Sequence, residues 1–189
     1  MNSLIWFRRD LRVADNTALF HAAQETKQGV VGLFLMTPQQ WKEHDEAPCK
    51  VKFWLDNLAT LSVALAELRI PLRIESCDSF AEVPAKVVQV AKENQCEIVY
   101  LNREYEINER RRDDRVASAC AQANLGVRRF HDRVIVPPSE IATKEGKFYS
   151  VFTPYRRVWD TKALGYRQLT PTPDRQPELT IKPSKVPTR

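Results

Sequence analysis

Apolar positions along this chain follow two periods that take turns. Five short runs, at 3–7, 30–36, 72–76, 97–101 and 127–131, carry apolar, β-branched and aromatic residues, and those at 3–7, 30–36 and 97–101 are nearly continuous in hydrophobicity. Runs of that kind predict strands buried on both faces. Between them lie segments with helical spacing, at 16–27, 50–69, 84–94 and 108–124. In the second of these, Val51, Trp54, Leu55, Leu58, Leu61 and Leu65 trace one helical face. Asp15 stands where the first helix needs an N-cap. Strands alternating with helices imply parallel pairing through right-handed crossovers. The predicted fold is therefore α/β, a three-layer doubly wound sandwich around a five-stranded parallel sheet.

After His131 the pattern changes. Residues 135–138 read as extended, and 141–152 as a hairpin turning at Lys144-Glu145-Gly146-Lys147. Thr153-Pro154 then starts a short helix, with Pro154 in its first turn, that runs to about residue 164. From 170 to 189 there are five prolines and no aromatic residue, a composition that predicts an extended linker without a core of its own. The expected organisation is an α/β domain at 1–132, a hairpin and short helix at 133–164, and a linker at 165–189. A linker implies something to link, so the chain is expected to be one part of a longer protein.

Charge and composition narrow the choice of function. The formal net charge is +5, but residues 156–189 hold eight basic and three acidic residues, which leaves 21 of each in the rest of the chain. A neutral body argues against a broad phosphate-binding face there. No apolar run has membrane-spanning length and no signal peptide opens the chain, so a soluble, cytoplasmic protein is expected, monomeric or weakly dimeric. The four cysteines are scattered with no CxxC pair, which disfavours a zinc or redox motif. Five glycines form neither a GxGxxG nor a Walker loop, and no serine sits in a nucleophile elbow.

Candidate chemistry gathers at predicted strand ends. In an open parallel sheet, ligands lie beyond the carboxyl ends of the strands, at the switch in strand order. The segments expected there are 8–12, 37–44, 102–109 and 132–138. In Asn102-Arg103-Glu104-Tyr105-Glu106-Ile107-Asn108-Glu109-Arg110, the pair Asn108 and Glu109 begins a helix, whose dipole favours an ionised carboxylate. Such a carboxylate accepts two parallel hydrogen bonds from a planar donor edge, as on a pterin. On residue types alone, the pair is more simply an ordinary helix N-terminus. Likewise His44 alone is more simply a surface histidine, Trp6 and Phe7 core, and Arg8 and Asp10 partners across a turn. The run 110–115 reads as a solvated, salt-bridged helix face.

The opening word Trp6-Phe7-Arg8-Arg9-Asp10-Leu11-Arg12, with Asp15-Asn16 behind it, resembles the N-terminal signature of the photolyase/cryptochrome family. The resemblance extends through 30–44, 102–113 and Phe152-Thr153-Pro154-Tyr155, where it is to bacterial cyclobutane-dimer photolyases of the folate-antenna class. It implies a Rossmann-like photolyase N-terminal domain that holds a light-harvesting chromophore, usually 5,10-methenyltetrahydrofolate. By motif match, His44, Asn108 and Glu109 fall on folate-contacting positions, and Phe34, Met36 and Arg8 on pocket walls. No catalytic residue and no metal ligand is assigned to this chain. In that family excitation passes to FAD in a separate helical C-terminal domain, and the flavin donates an electron to a pyrimidine dimer in UV-damaged DNA. The resemblance therefore implies a parent deoxyribodipyrimidine photo-lyase, a carbon–carbon lyase, with FAD and DNA contacts outside this chain, which alone is expected to be inactive. A cryptochrome-type photoreceptor, a stand-alone nucleotide-binding or electron-transfer domain, and a deazaflavin or an empty pocket in place of the folate stay open at this point.

Overall fold

A computed structural model describes residues 1–166 and 169–187. Five strands, β1 (Asn2–Phe7), β2 (Val30–Met36), β3 (Leu72–Ser76), β4 (Cys96–Asn102) and β5 (Gly126–Phe130), pair in the order β3-β2-β1-β4-β5, all parallel. The connections carry α1 (Thr17–Glu25), α2 (Pro38–Glu43), α3 (Pro48–Glu67), α4 (Val83–Glu93) and α5 (Ile107–Gln122), and α6 (Phe152–Ala163) follows the sheet. The strand order reverses between β1 and β4, which opens a crevice at their carboxyl ends.

Alternation along the central strands splits the core in two. Leu4 and Trp6 of β1 face one side, with Leu33, Val99 and Leu101, and pack on Val83, Val87 and Val90 of α4 and on Val116 and Cys120 of α5. Ile5 and Phe7 face the other side, with Tyr100, and pack on Ala18 and Leu19 of α1 and on Leu58, Leu61 and Leu65 of α3. The predicted strands and long helices all form. The turn after β2 also winds into the short α2, with Pro38 at its first position, where a missing N–H costs nothing.

Four local expectations are corrected. Asn16, not Asp15, caps α1: its Oδ1 accepts from the Leu19 amide at 3.1 Å, whereas Asp15 adopts a left-handed φ of 49°. Residues 141–152 form no strands. A turn joins Thr143 and Lys147 instead, with the Thr143 amide donating to the Lys147 carbonyl at 2.8 Å and Gly146 at φ 76°. The helix expected to start at Thr153-Pro154 begins one residue earlier, at Phe152, with Pro154 in its first turn. Proline still fits there, because the first four amides of a helix have no intrahelical acceptor.

The fourth correction concerns the proline-rich segment, which is extended as predicted but lies against the domain. The Thr170 amide donates to Asp15 Oδ1 at 2.9 Å, the Gln176 amide to the Leu68 carbonyl at 2.9 Å, and the Ser184 amide to the Leu72 carbonyl at 2.8 Å. Leu179 and Ile181 pack on one core and Val186 on the other. Leu179 lies so close over Gly29 that a β-carbon there would come within 2.9 Å of it. Proline suits such a strap, since an extended backbone with few donors loses little by lying on another surface. Its sparse aliphatic residues complete a core that they could not build alone.

Candidate functional site

At the switch point, β1 runs out of the core into Arg8 and Arg9, and β4 into Glu104. These charges are held by one another. Glu104 is 5% exposed, and its Oε2 accepts from Arg112 Nη2 at 2.7 Å and lies 3.7 Å from Arg8 Nε. Its Oε1 lies 3.8 Å from Arg9 Nε and 3.7 Å from Arg133 Nη1. Asp113 accepts from Arg112 at 2.7 and 3.0 Å and stands 3.6 Å from Arg8 Nη2. Burial alone would raise the Glu104 carboxyl, but Arg8 and Arg112 outweigh it and hold the group below the usual carboxylate range. Arg112 shows the mirror case: burial works against its charge, and Asp113 and Glu104 restore and exceed the loss. Both guanidinium groups also lie over the Trp6 ring, at 4.5 and 4.8 Å from its centroid.

This network corrects two expectations. Arg8 does not pair with the Asp10 carboxylate through its side chain. Asp10 Oδ1 accepts from the Arg8 backbone amide at 2.8 Å, while the guanidinium turns to Glu104, Asp113 and the Asn102 carbonyl. Nor is 110–115 a solvated face throughout, because Arg112 and Asp113 are buried. A signal was present: Arg112, Val116 and Cys120 are spaced four apart and share the core-facing stripe of α5.

Above the network lies a cleft of about 120 Å³. Phe34 and Thr37 form its floor at the end of β2. Gln40 and Trp41 of α2, Trp54 of α3, Phe80 and Arg112 complete the lining. Of the predicted site residues, Arg8, Phe34, His44 and Glu109 line it. His44 ends α2 and is exposed. Met36 does not line the cleft. It shares a face of β2 with Phe34, two residues away, and packs on the core beneath α1 and α3. Asn108 is exposed in the first turn of α5 and also stands outside the lining. Trp41, Trp54 and Phe80 had not been singled out for the site. Its spacing puts Trp54 on the core stripe of its helix, and Trp41 lies in the segment 37–44 expected at the strand ends.

Glu109 sits in the first turn of α5, 14% exposed at its side chain. Its Oε1 accepts from Arg9 Nη2 at 3.4 Å, and its Oε2 makes no hydrogen bond within the described residues. Trp41 and Trp54 lie 5.6 Å apart with planes tilted by 52°. The cleft thus joins aromatic walls to a carboxylate with an open acceptor, the donor–acceptor complement of a flat heterocycle with an N–H edge. Of the segments expected to converge, 132–138 splits. Asp132 Oδ2 accepts from Arg12 at 2.7 Å and its Oδ1 from the Thr17 amide at 2.9 Å, on the α1 side, whereas Arg133 reaches Glu106 at 3.0 Å.

A second cavity of about 440 Å³ opens beside β5, with Glu104 as the shared wall. Arg103, Tyr105, Arg110, Arg129, His131 and Phe148 are among the residues that line it. No cluster of acids, histidines and cysteines suited to a metal ion occurs among the described residues, and no helix among them is long and apolar enough to cross a membrane.

A parallel sheet in this order, with a polar crevice at its reversal, is the architecture of a ligand-binding α/β domain. Residues 3–178 match the family model of DNA photolyase, and the chain belongs to that family. It is 37% identical over 158 residues to the deoxyribodipyrimidine photo-lyase of Vibrio cholerae and 38% identical over 156 residues to that of Escherichia coli. Those alignments cover 84% and 82% of this chain but 34% and 33% of the relatives, so the chain spans about a third of their length. Among solved structures, a Synechocystis cryptochrome superposes with a TM-score of 0.78 at 17% identity, covering 97% of this chain and 39% of that one. An archaeal photolyase from Sulfolobus tokodaii, solved with two FAD molecules, gives 0.74 at 21% identity, covering 95% and 39%. At those identities the likeness establishes the fold.

Proposed function

We propose that this chain is the antenna domain of a deoxyribodipyrimidine photo-lyase and that its switch-point cleft takes the pterin ring of 5,10-methenyltetrahydrofolate. The observation that carries the reading is Glu109, which lines the cleft with Trp41 and Trp54 and whose second carboxylate oxygen has no hydrogen-bond donor among the described residues. In this reading Glu109 accepts from the pterin amino and ring N–H edge, Arg9 holds that carboxylate in place, and His44 and Asn108 flank the ring at the mouth. The bound folate supplies near-ultraviolet absorption and passes on its excitation. Phe34 and the tryptophans exclude water from the ring face, and the buried Arg8–Glu104–Arg112 set keeps the floor rigid and close to neutral. A volume of about 120 Å³ encloses part of such a ring and leaves the rest open, so affinity for the isolated chain should be modest. FAD binding and the repair of pyrimidine dimers in DNA belong, in this proposal, to a longer polypeptide of the relatives' length. The coverage of a third of those relatives supports that division.

The test is a titration of the chain with 5,10-methenyltetrahydrofolate, followed by absorbance and by quenching of tryptophan fluorescence. Saturable quenching that weakens in Glu109→Gln is the expected result. Absence of saturation, or saturation unaffected by that change, would overturn the assignment.

A further inference from the structure

The second cavity has a charge pattern that the antenna reading does not use. Three arginines line it. Arg129 is satisfied, donating to Asp114 Oδ1 at 2.7 Å and to the Asp113 carbonyl at 2.8 Å. Arg103 and Arg110 have no acidic partner within 4.0 Å among the described residues, and the Nε of Arg103 is buried without a hydrogen-bond acceptor. The acids of the same cavity are all engaged: Glu104 and Asp113 by Arg8 and Arg112, and Asp114 by Arg129. Two guanidinium groups therefore remain to set the field of a space of about 440 Å³. A buried donor left unmade is costly, and a planar fork of donors is most completely satisfied by a carboxylate or phosphate.

The opposite wall is aromatic. Tyr105 Oη and His131 Nδ1 are 2.6 Å apart, and the two rings stack with planes within 18° of each other. Phe148 stands at the rim, 85% exposed. Burial and the charge of Arg103 hold His131 below the ordinary imidazole range, so near neutrality it is an uncharged ring surface rather than a third cation. The cavity thus sets an anion-binding fork against a flat, half-polar ring surface, at a volume suited to a small organic molecule.

We propose that this cavity binds a small phosphorylated ligand with a flat ring, a nucleoside monophosphate in size and chemistry, its phosphate between Arg103 and Arg110 and its ring against Tyr105, His131 and Phe148. The site is separate from the switch-point cleft and does not depend on the chromophore assignment. Isothermal titration of the chain with AMP, inorganic phosphate and adenosine tests it. AMP should saturate one site, inorganic phosphate should compete for it more weakly, and adenosine should not bind. Arg103→Ala should weaken AMP binding about tenfold or more, in keeping with loss of charge-assisted hydrogen bonds. Arg110→Ala, at an exposed position with no ion pair among the described residues, should weaken it in the same direction while leaving the unfolding midpoint nearly unchanged. Phe148→Ala should reduce affinity for AMP while leaving that for inorganic phosphate unchanged. The proposal is overturned if AMP does not saturate, if it binds equally to the Arg103→Ala and Arg110→Ala variants, or if only an oligonucleotide binds. The folate titration of Glu109→Gln probes the other cavity, so either assignment can fail without the other.

Discussion

The two cavities share one wall, Glu104, and differ in how their arginines are spent. Around the switch-point cleft each cation has an acid: Arg8 and Arg112 hold Glu104 and Asp113, and Arg9 holds Glu106 and Glu109. The floor is closely balanced in charge, although Glu104 Oε1 and Arg8 Nε make no hydrogen bond, and at its edge one oxygen of Glu109 has no hydrogen-bond donor among the described residues. Beside β5 the balance reverses, and what remains unmatched is a pair of guanidinium groups. The residue types are nearly the same on both sides, arginine, carboxylate and aromatic rings. Their pairing decides which side offers an acceptor and which offers donors. Counting charged residues in a cleft therefore says little about its ligand until the internal pairs have been subtracted.

The sharpest way to break this comparison is to remove the shared wall. Glu104→Ala would leave Arg8 and Arg112 buried with half their neutralising charge gone. Breaking a buried network by deleting one partner costs about 3–5 kcal/mol, and urea unfolding should show a loss of that order. A change below about 1 kcal/mol would mean that the network is solvated and that the cleft floor is not preorganised. Acid reports on the same group without mutation. Glu104 has a lowered folded-state pKa, so its contribution is complete above the ordinary glutamate range and is lost as pH falls through the lowered value. Stability of the native chain should therefore drop on acidification below that range. Glu104→Gln should start lower and show a shallower acid limb.

Much of this was legible in the sequence, for identifiable reasons. Five apolar runs with helical spacing between them determine a parallel sheet, and topology then brings the ends of β1, β2 and β4 together whatever their side chains. Glu109 stands out because an acid in the first turn of a helix has a local electrostatic rationale, and it lines the cleft. Arg112 was missed because a run of six charged residues looks solvated, although its spacing from Val116 and Cys120 places it on the core stripe. Met36 stands outside the cleft although it shares a strand face with Phe34, which lines it, because period two marks a face and not which residue of that face reaches the opening. The strap at 170–187 was invisible because backbone hydrogen bonds to Leu68 and Leu72 leave no periodic trace, and Leu179, Ile181 and Val186 are too few to mark a core-facing segment. The second cavity escaped for a related reason: an arginine without a partner looks the same in a sequence as an arginine with one.

The next effect tests the acceptor side. Glu109→Gln keeps the shape and turns one carboxylate oxygen into a donor facing a donor edge. Folate affinity should fall about tenfold, about 1.4 kcal/mol, while stability stays within about 1 kcal/mol because the pair to Arg9 is partly exposed. AMP binding should not change. If both titrations weaken together, the cavities are coupled through α5 and the contrast between them is one of degree.

The smallest effect is the most discriminating. Arg9 is 37% exposed at its side chain, and its best ion pair, 3.0 Å to Glu106, joins two groups that are each more than a third exposed. Such pairs contribute about 0–1 kcal/mol, so Arg9→Ala should scarcely move the unfolding midpoint. If the cleft works by internal pairing, Arg9 still has a task, because it fixes Glu109 Oε1 and leaves Oε2 to the ligand. Losing that restraint should weaken folate binding about threefold, and raising the salt concentration should shrink the difference, since an exposed pair is screened. Unchanged affinity would show that the helix dipole of α5 alone orients the carboxylate. A loss as large as that of Glu109→Gln would mean that Arg9 touches the ligand itself, which would make the cleft an anion site as well and remove the distinction between its two sides.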